Sequence, residues 1–63
     1  MDGYRSLEDS ETVRLGDVAF CDDGYFVIDS GTYHQLLVGC TALEAREFSG
    51  VFGVIRAVNS SDN

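Results

Sequence analysis

Cys21, His34 and Cys40 are the residues best equipped for metal or nucleophilic chemistry, and their placement supports neither. Zinc sites gather Cys and His at short, set intervals, and these three show no such interval. A nucleophilic Ser or Cys needs a base beside it and a third group to orient that base. One His and two scattered Cys do not supply that arrangement. His34, between Tyr33 and Gln35, reads as a surface or half-buried polar residue. Asp22-Asp23-Gly24 opens like a calcium loop but lacks the acidic ligands that should follow. Gly16, Gly24, Gly31, Gly39, Gly50 and Gly53 never assemble a phosphate-cradling motif. The expectation is a protein that is not an enzyme and holds no metal and no cofactor.

The carboxylates carry more information. The chain has 11 Asp and Glu against four basic residues, for a net charge of -7. The four are Arg5, Arg14, Arg46 and Arg56, and there is no Lys. This balance repels nucleic acid and anionic membranes and attracts basic partners. It is also uneven. Eight of the carboxylates lie in residues 1–29 and three in residues 30–63, with two Arg in each part. Solubility does not require that asymmetry, which points to one strongly negative face. Glu8, Asp9, Glu11, Asp17, Asp22, Asp23 and Asp29 all fall on expected turns or strand ends. Alternate strand residues lie about 6.8 Å apart, and duplex DNA carries one charge per roughly 1.7 Å of axis. Carboxylates on neighbouring turns therefore approximate a row of phosphates. Asp also favours turns for its own backbone bonding, which is the plain alternative for any one of them. Tyr25 and Tyr33 lie beside these turns as candidate aromatic anchors.

The elements that must position these groups are short. A chain of 63 residues is one domain, burying only about 60% of its unfolded surface. Its 44% hydrophobic content suits a folded protein. Tyr4 to Leu7 reads as an edge strand, Glu8 to Glu11 as a turn, and Thr12 to Leu15 as a short β-prone stretch ended by Gly16-Asp17. Val18 to Cys21 and Tyr25 to Ile28 are β-branched and aromatic runs. Asp22-Asp23-Gly24 between them supplies the positive φ angles of a tight hairpin. Leu36-Leu37-Val38 fits a strand or a buried helical turn. Thr41-Ala42-Leu43-Glu44 matches a capping box opening a helix to Phe48, with Ser49-Gly50 as its stop. Val51 to Val58 is apolar on both faces apart from Arg56 and reads as a central strand, with Gly53 allowing something to pack closely over it. Asn59 to Asn63 reads as a frayed tail. The fold expected is α+β, an antiparallel sheet of three to four strands with one short helix; an SH3-like small barrel is the alternative. Cys21 and Cys40 lie in apolar stretches and read as buried reduced thiols. With no apolar run long enough for a signal or a membrane span, a cytoplasmic location is expected.

The pattern Tyr4-Arg5-x-Leu7, Glu11-x-Val13-x-x-Gly16-Asp17 and Asp23-Gly24 resembles a group of very short proteins of tailed bacteriophages. Those proteins show Tyr-Arg-x-Leu, Gly-Glu-x-Ile-x-x-Gly-Asp, an Asp-Gly turn followed by aromatics, and a closing apolar-Arg strand. Val54-Ile55-Arg56 matches that last feature. Ser10 stands where the group has Gly, Phe26 lies near its usual Trp, and the Arg-Arg-Pro ending is absent. The motifs imply a fold and a phage source acting in the bacterial cytoplasm, and no activity. In size and charge the chain is also similar to anti-CRISPR proteins, several of which mimic DNA. The acidic turns, set beside these likenesses, lead to the expectation of an inhibitor whose acidic surface occupies the basic groove of a host nucleic-acid-binding complex, a CRISPR effector subunit first among them. A structural or accessory phage module is the alternative. Elemental analysis after ordinary purification should find no stoichiometric zinc; one equivalent per chain would overturn the reading of Cys21, His34 and Cys40.

Overall fold

The computed structural model describes residues 3–31, 33–48 and 50–58, with the backbone alone at Tyr33 and His34. The Asn59 to Asn63 tail and the Tyr33 side chain lie outside the described residues. Four strands form one open antiparallel sheet: β1 (Tyr4–Ser6), β2 (Val18–Cys21), β3 (Gly24–Val27) and β4 (Val51–Ala57), in the order β1-β4-β2-β3. A 3-10 turn at Tyr33–Leu37 and a helix α1 at Ala42–Arg46 lie between β3 and β4. The α+β architecture is the one the sequence predicts. The sheet is open, with β1 and β3 as separate edges, so the barrel alternative does not hold.

The hairpin forms where Val18 to Val27 alternate, with Val18 opposite Val27 and Cys21 opposite Gly24. Its turn is Asp22-Asp23. The positive φ falls only on Gly24, at 132°, and both Asp have negative φ. The turn expected at Asp22 to Gly24 forms there, with Gly24 itself pairing with Cys21 as the first residue of β3. The ladder runs one step past the strands: the Ile28 N–H donates to the Asp17 carbonyl (2.9 Å) and the Gly16 N–H to the Ile28 carbonyl (2.7 Å). Asp17 thus continues the line of β2.

Register and strand alternation assign side chains to faces. Leu7, Ala19, Phe26 and Val54 share the covered face. Leu7, Ala19 and Val54 are buried there, and Phe26 packs against the same cluster. The cover consists of Val13, Leu37 and α1, which presents Ala42 and Ala45. Thr41 caps the helix as expected. Its hydroxyl accepts the Glu44 N–H at 3.1 Å, and the Glu44 carboxylate accepts the Thr41 N–H at 2.9 Å. The helix is shorter than the stretch to Phe48 that the sequence suggests. Thr12 to Leu15 makes one bridge, Thr12 to Thr41, and no strand. Its backbone instead clamps the helix entry: Val13 exchanges bonds with Cys40 and Gly39, and Glu11 and Asp9 carbonyls accept the Ala42 and Leu43 N–H groups. Leu36 and Leu37 resolve as the 3-10 turn, and Leu37 is buried. Cys21 and Cys40 are free and half-buried.

The next row of the covered face is charged. Arg5 pairs with Arg56 across β1 and β4, and Asp17 continues β2 beside Arg56. The Arg56 guanidinium grips Asp17 through both carboxylate oxygens, at 2.9 and 3.0 Å. It also donates to the Thr12 carbonyl at 2.7 Å. Arg5 binds both oxygens of Glu11 at 2.7 Å, and Arg56 reaches Glu11 at 3.6 Å. Two like charges opposite one another on a sheet would repel; two carboxylates placed against them remove that cost. Asp17 is only 2% exposed.

Removing one member of a buried, hydrogen-bonded ion pair strands the other. Asp17→Ala should therefore cost about 2–4 kcal/mol, a large part of the roughly 3–9 kcal/mol available to a domain of this size. Urea unfolding, with Asp22→Ala as the exposed reference expected to stay within about 0.5 kcal/mol, measures the difference. Acid provides a second test. The Arg5 fork and the Glu8 N–H lower the Glu11 carboxyl from its ordinary 4.5 to about 2. A carboxyl with a depressed folded value contributes its full stability above its unfolded value and loses it as the pH falls toward the folded one. Thermal midpoints should decline from about pH 4.5 down to about pH 2, and Glu11→Gln should flatten that window.

Candidate functional site

The described residues enclose no pocket, and no group of three His, Cys, Asp or Glu among them is placed to hold a metal. No helix among them is long and apolar enough to cross a membrane. Any site formed by the described residues is therefore a surface patch. The carboxylates named from the sequence divide into two sets. Asp9 pairs with Arg46, Glu11 with Arg5 and Arg56, and Asp17 with Arg56. For Asp17 the expectation of a partner-facing charge is corrected outright: strand alternation turns it onto the covered face, where Arg56 and the Arg14 N–H (2.9 Å) bind it. The seven carboxylates do not form one exposed row.

Glu8, Asp22, Asp23 and Asp29 remain exposed. Glu8 lies in the turn that leads to Glu11, whose N–H its carbonyl accepts at 2.9 Å. Asp29 follows the far end of β3, some six residues or about 20 Å of strand from Asp23, and its carboxylate accepts the Gly31 N–H at 2.8 Å. Asp22 and Asp23 stand together at the hairpin tip, and Tyr25, 65% exposed, is two residues along β3. Of the residues named in advance, the fold brings these three into one place.

What sequence reading missed is the second face of the sheet. Val18, Phe20, Tyr25, Val27, Gly53 and Ile55 face away from the core by alternation and register. Tyr25 and Val27 are exposed, Phe20, Gly53 and Ile55 are half-buried, and Val18 is buried. Among the described residues nothing lies within 4 Å of where a Gly53 side chain would begin, so none of them makes the expected close packing over it. A bulge enlarges this surface. Phe20 pairs with Gly53 and Cys21 with Val51, leaving Phe52 as the extra residue between them. The bulge keeps Val51 in the core and turns Phe52 outward, 62% exposed. There its ring stacks on Phe20, at 6.3 Å between centroids and 22° between planes. Tyr25 meets Phe20 edge-on at 6.0 Å and 66°. The three rings form one contiguous aromatic group next to the acidic tip, whereas Leu15, Leu36 and Leu43 are exposed on a loop, the 3-10 turn and α1.

The apolar run at Val51 to Val58 held a trace of this. It has more apolar residues than a strand with one covered face requires, which reads from sequence as burial on both faces. In the structure the surplus lies on the open face.

The remaining charges sharpen the picture. Three of the four Arg are held in ion pairs, and Arg14 makes none among the described residues. Asp22 and Asp23 likewise make no ion pair among the described residues, so the tip keeps its full negative charge. Chemically the arrangement offers exposed carboxylate acceptors beside an aromatic platform, a combination that suits cationic side chains. Comparison of the chain with protein-family models, with curated proteins and with solved structures gave no match.

Proposed function

We propose that this protein is an inhibitor that binds a basic protein surface of a host nucleic-acid-binding complex, its acidic hairpin tip taking the place of phosphates. The phage and anti-CRISPR likenesses put CRISPR effector subunits first among the targets. The observation that carries the reading is the pair Asp22 and Asp23, adjacent, exposed and without a compensating cation in a chain of net charge -7. The internal ion pairs absorb Asp9, Glu11 and Asp17, and of the N-terminal carboxylates that stay exposed Asp22 and Asp23 are the two that stand together. A basic groove shaped for DNA would meet such a tip favourably and quickly.

Screening sets the test. Exposed charges fade beyond about 8 Å at physiological ionic strength, so capture of a basic target should weaken steeply with salt, and duplex DNA should displace the protein from it. Asp22→Lys with Asp23→Lys should abolish capture. Both positions have negative φ and accept any side chain without strain. The matched control is Glu8→Lys with Glu47→Lys, since the Glu44 carboxylate belongs to the helix cap. Capture from host lysate, eluted with a salt gradient or with duplex DNA and compared across these variants, provides the measurement. A folded tip variant with undiminished capture, or capture indifferent to salt and DNA, would overturn the proposal. Recovery of the protein with virion components or with itself would favour an accessory phage module instead.

A further inference from the structure

The open face of the sheet goes unused if the acidic tip acts alone. It carries Tyr25 and Phe52, each in ring contact with Phe20, a bare backbone at Gly53 where an added Cβ would meet nothing within 4 Å among the described residues, and two carboxylates at its edge. Asp22 lies two residues after Phe20, and Asp23 two residues before Tyr25. We propose that this face is the docking surface for an arginine-bearing protein segment, whose guanidinium lies on the aromatic group over Gly53 and pairs with Asp22 or Asp23. The inference rests on the reading of a basic partner and names the chemistry that the partner must present.

Charge complementarity selects this occupant. A second copy would bring another net charge of -7 and another acidic tip against the first. Single-stranded nucleic acid stacks its bases on such platforms, but it also needs a cationic groove for its backbone, and three of the four Arg are consumed by internal carboxylates. Arginine satisfies both halves of the surface. Its planar guanidinium stacks on rings and binds carboxylates through two parallel bonds. Lysine offers a point charge with a tightly held hydration shell and gains less from the rings. The bulge is what makes the site: without it, alternation would send Phe52 toward the core and leave Phe20 without its stacking partner.

The experiment is a titration of the full-length, 15N-labelled protein with tetra-arginine amide and separately with tetra-lysine amide, followed by amide shifts at low salt. Shifts should centre on Phe20, Gly24, Tyr25, Phe52 and Gly53, and arginine should bind at least about threefold more tightly than lysine. Phe52→Ser should erase that preference while leaving lysine binding in place. Gly53→Val begins a side chain where a Cβ meets nothing within 4 Å among the described residues; it should weaken arginine binding about fivefold with a native amide spectrum. Equal binding of the two peptides, or shifts confined to Glu8 and Glu47, would overturn the proposal. So would open-face shifts that depend on protein concentration alone, since they would identify a second copy as the occupant. The two readings fail separately. Arginine binding on this face, with capture insensitive to DNA, removes the nucleic-acid-complex target and keeps the docking surface. DNA-sensitive capture with no arginine preference keeps the target and removes the surface.

Discussion

The Asp17–Arg56 pair is the interaction on which the arrangement of the sheet depends. It joins the start of β2 to the end of β4, residues 39 apart in the chain, at the place where the covered face runs out of apolar side chains. A one-residue slip of β4 would turn Arg56 and Val54 to the open face. Asp17 would then be buried without a cation, which costs far more than a lost surface contact. The pair therefore penalises every wrong register of the central strand. Glu11 and Arg5 extend it to the edge strand β1, so the segments that open the chain are fixed by charge where apolar area is scarce.

The other end of β4 is governed by space. Ala42 and Ala45 are fully buried and allow α1 to lie close over the strand. Val51 fits beneath such a helix, and a phenyl ring in its place would have to push the helix away. The bulge at Phe52 resolves this by inserting one residue, so that Val51 stays inside and Phe52 turns out. The same local irregularity thus completes the core and builds the aromatic group on the opposite face. Tight helix packing on one side and exposed rings on the other are two consequences of one backbone feature.

The surface that results is asymmetric in a useful way. Ion pairs take up Asp9, Glu11 and Asp17, and among the carboxylates that stay exposed Asp22 and Asp23 make a doubly negative tip beside an aromatic patch. An electrostatic surface alone steers a partner but holds it weakly, because each exposed pair contributes about 0–1 kcal/mol. In the proposed docking, aromatic area beside the charges would supply the contact that outlasts the encounter.

Local information in the sequence determined the elements. Alternation of β-branched and aromatic residues around Asp22 to Gly24 specified the hairpin, Thr41 and Glu44 specified the helix start, and the length of the Val51 to Val58 run made it the central strand. Each is a signal carried within a few residues, where steric preference and backbone bonding act. Tertiary structure alone decided which charges are free and which faces are covered. Asp17 and Asp22 are both turn-adjacent aspartates in the sequence; only the register of β2 against β4 puts one beside Arg56 in the interior and the other in solvent. Phe20 and Phe52 lie in apolar runs far apart in the chain, and only the bulge turns Phe52 outward onto the ring of half-buried Phe20. Pairing between distant segments has no local signature, because the energy that fixes it comes from residues far apart in the chain meeting across a sheet.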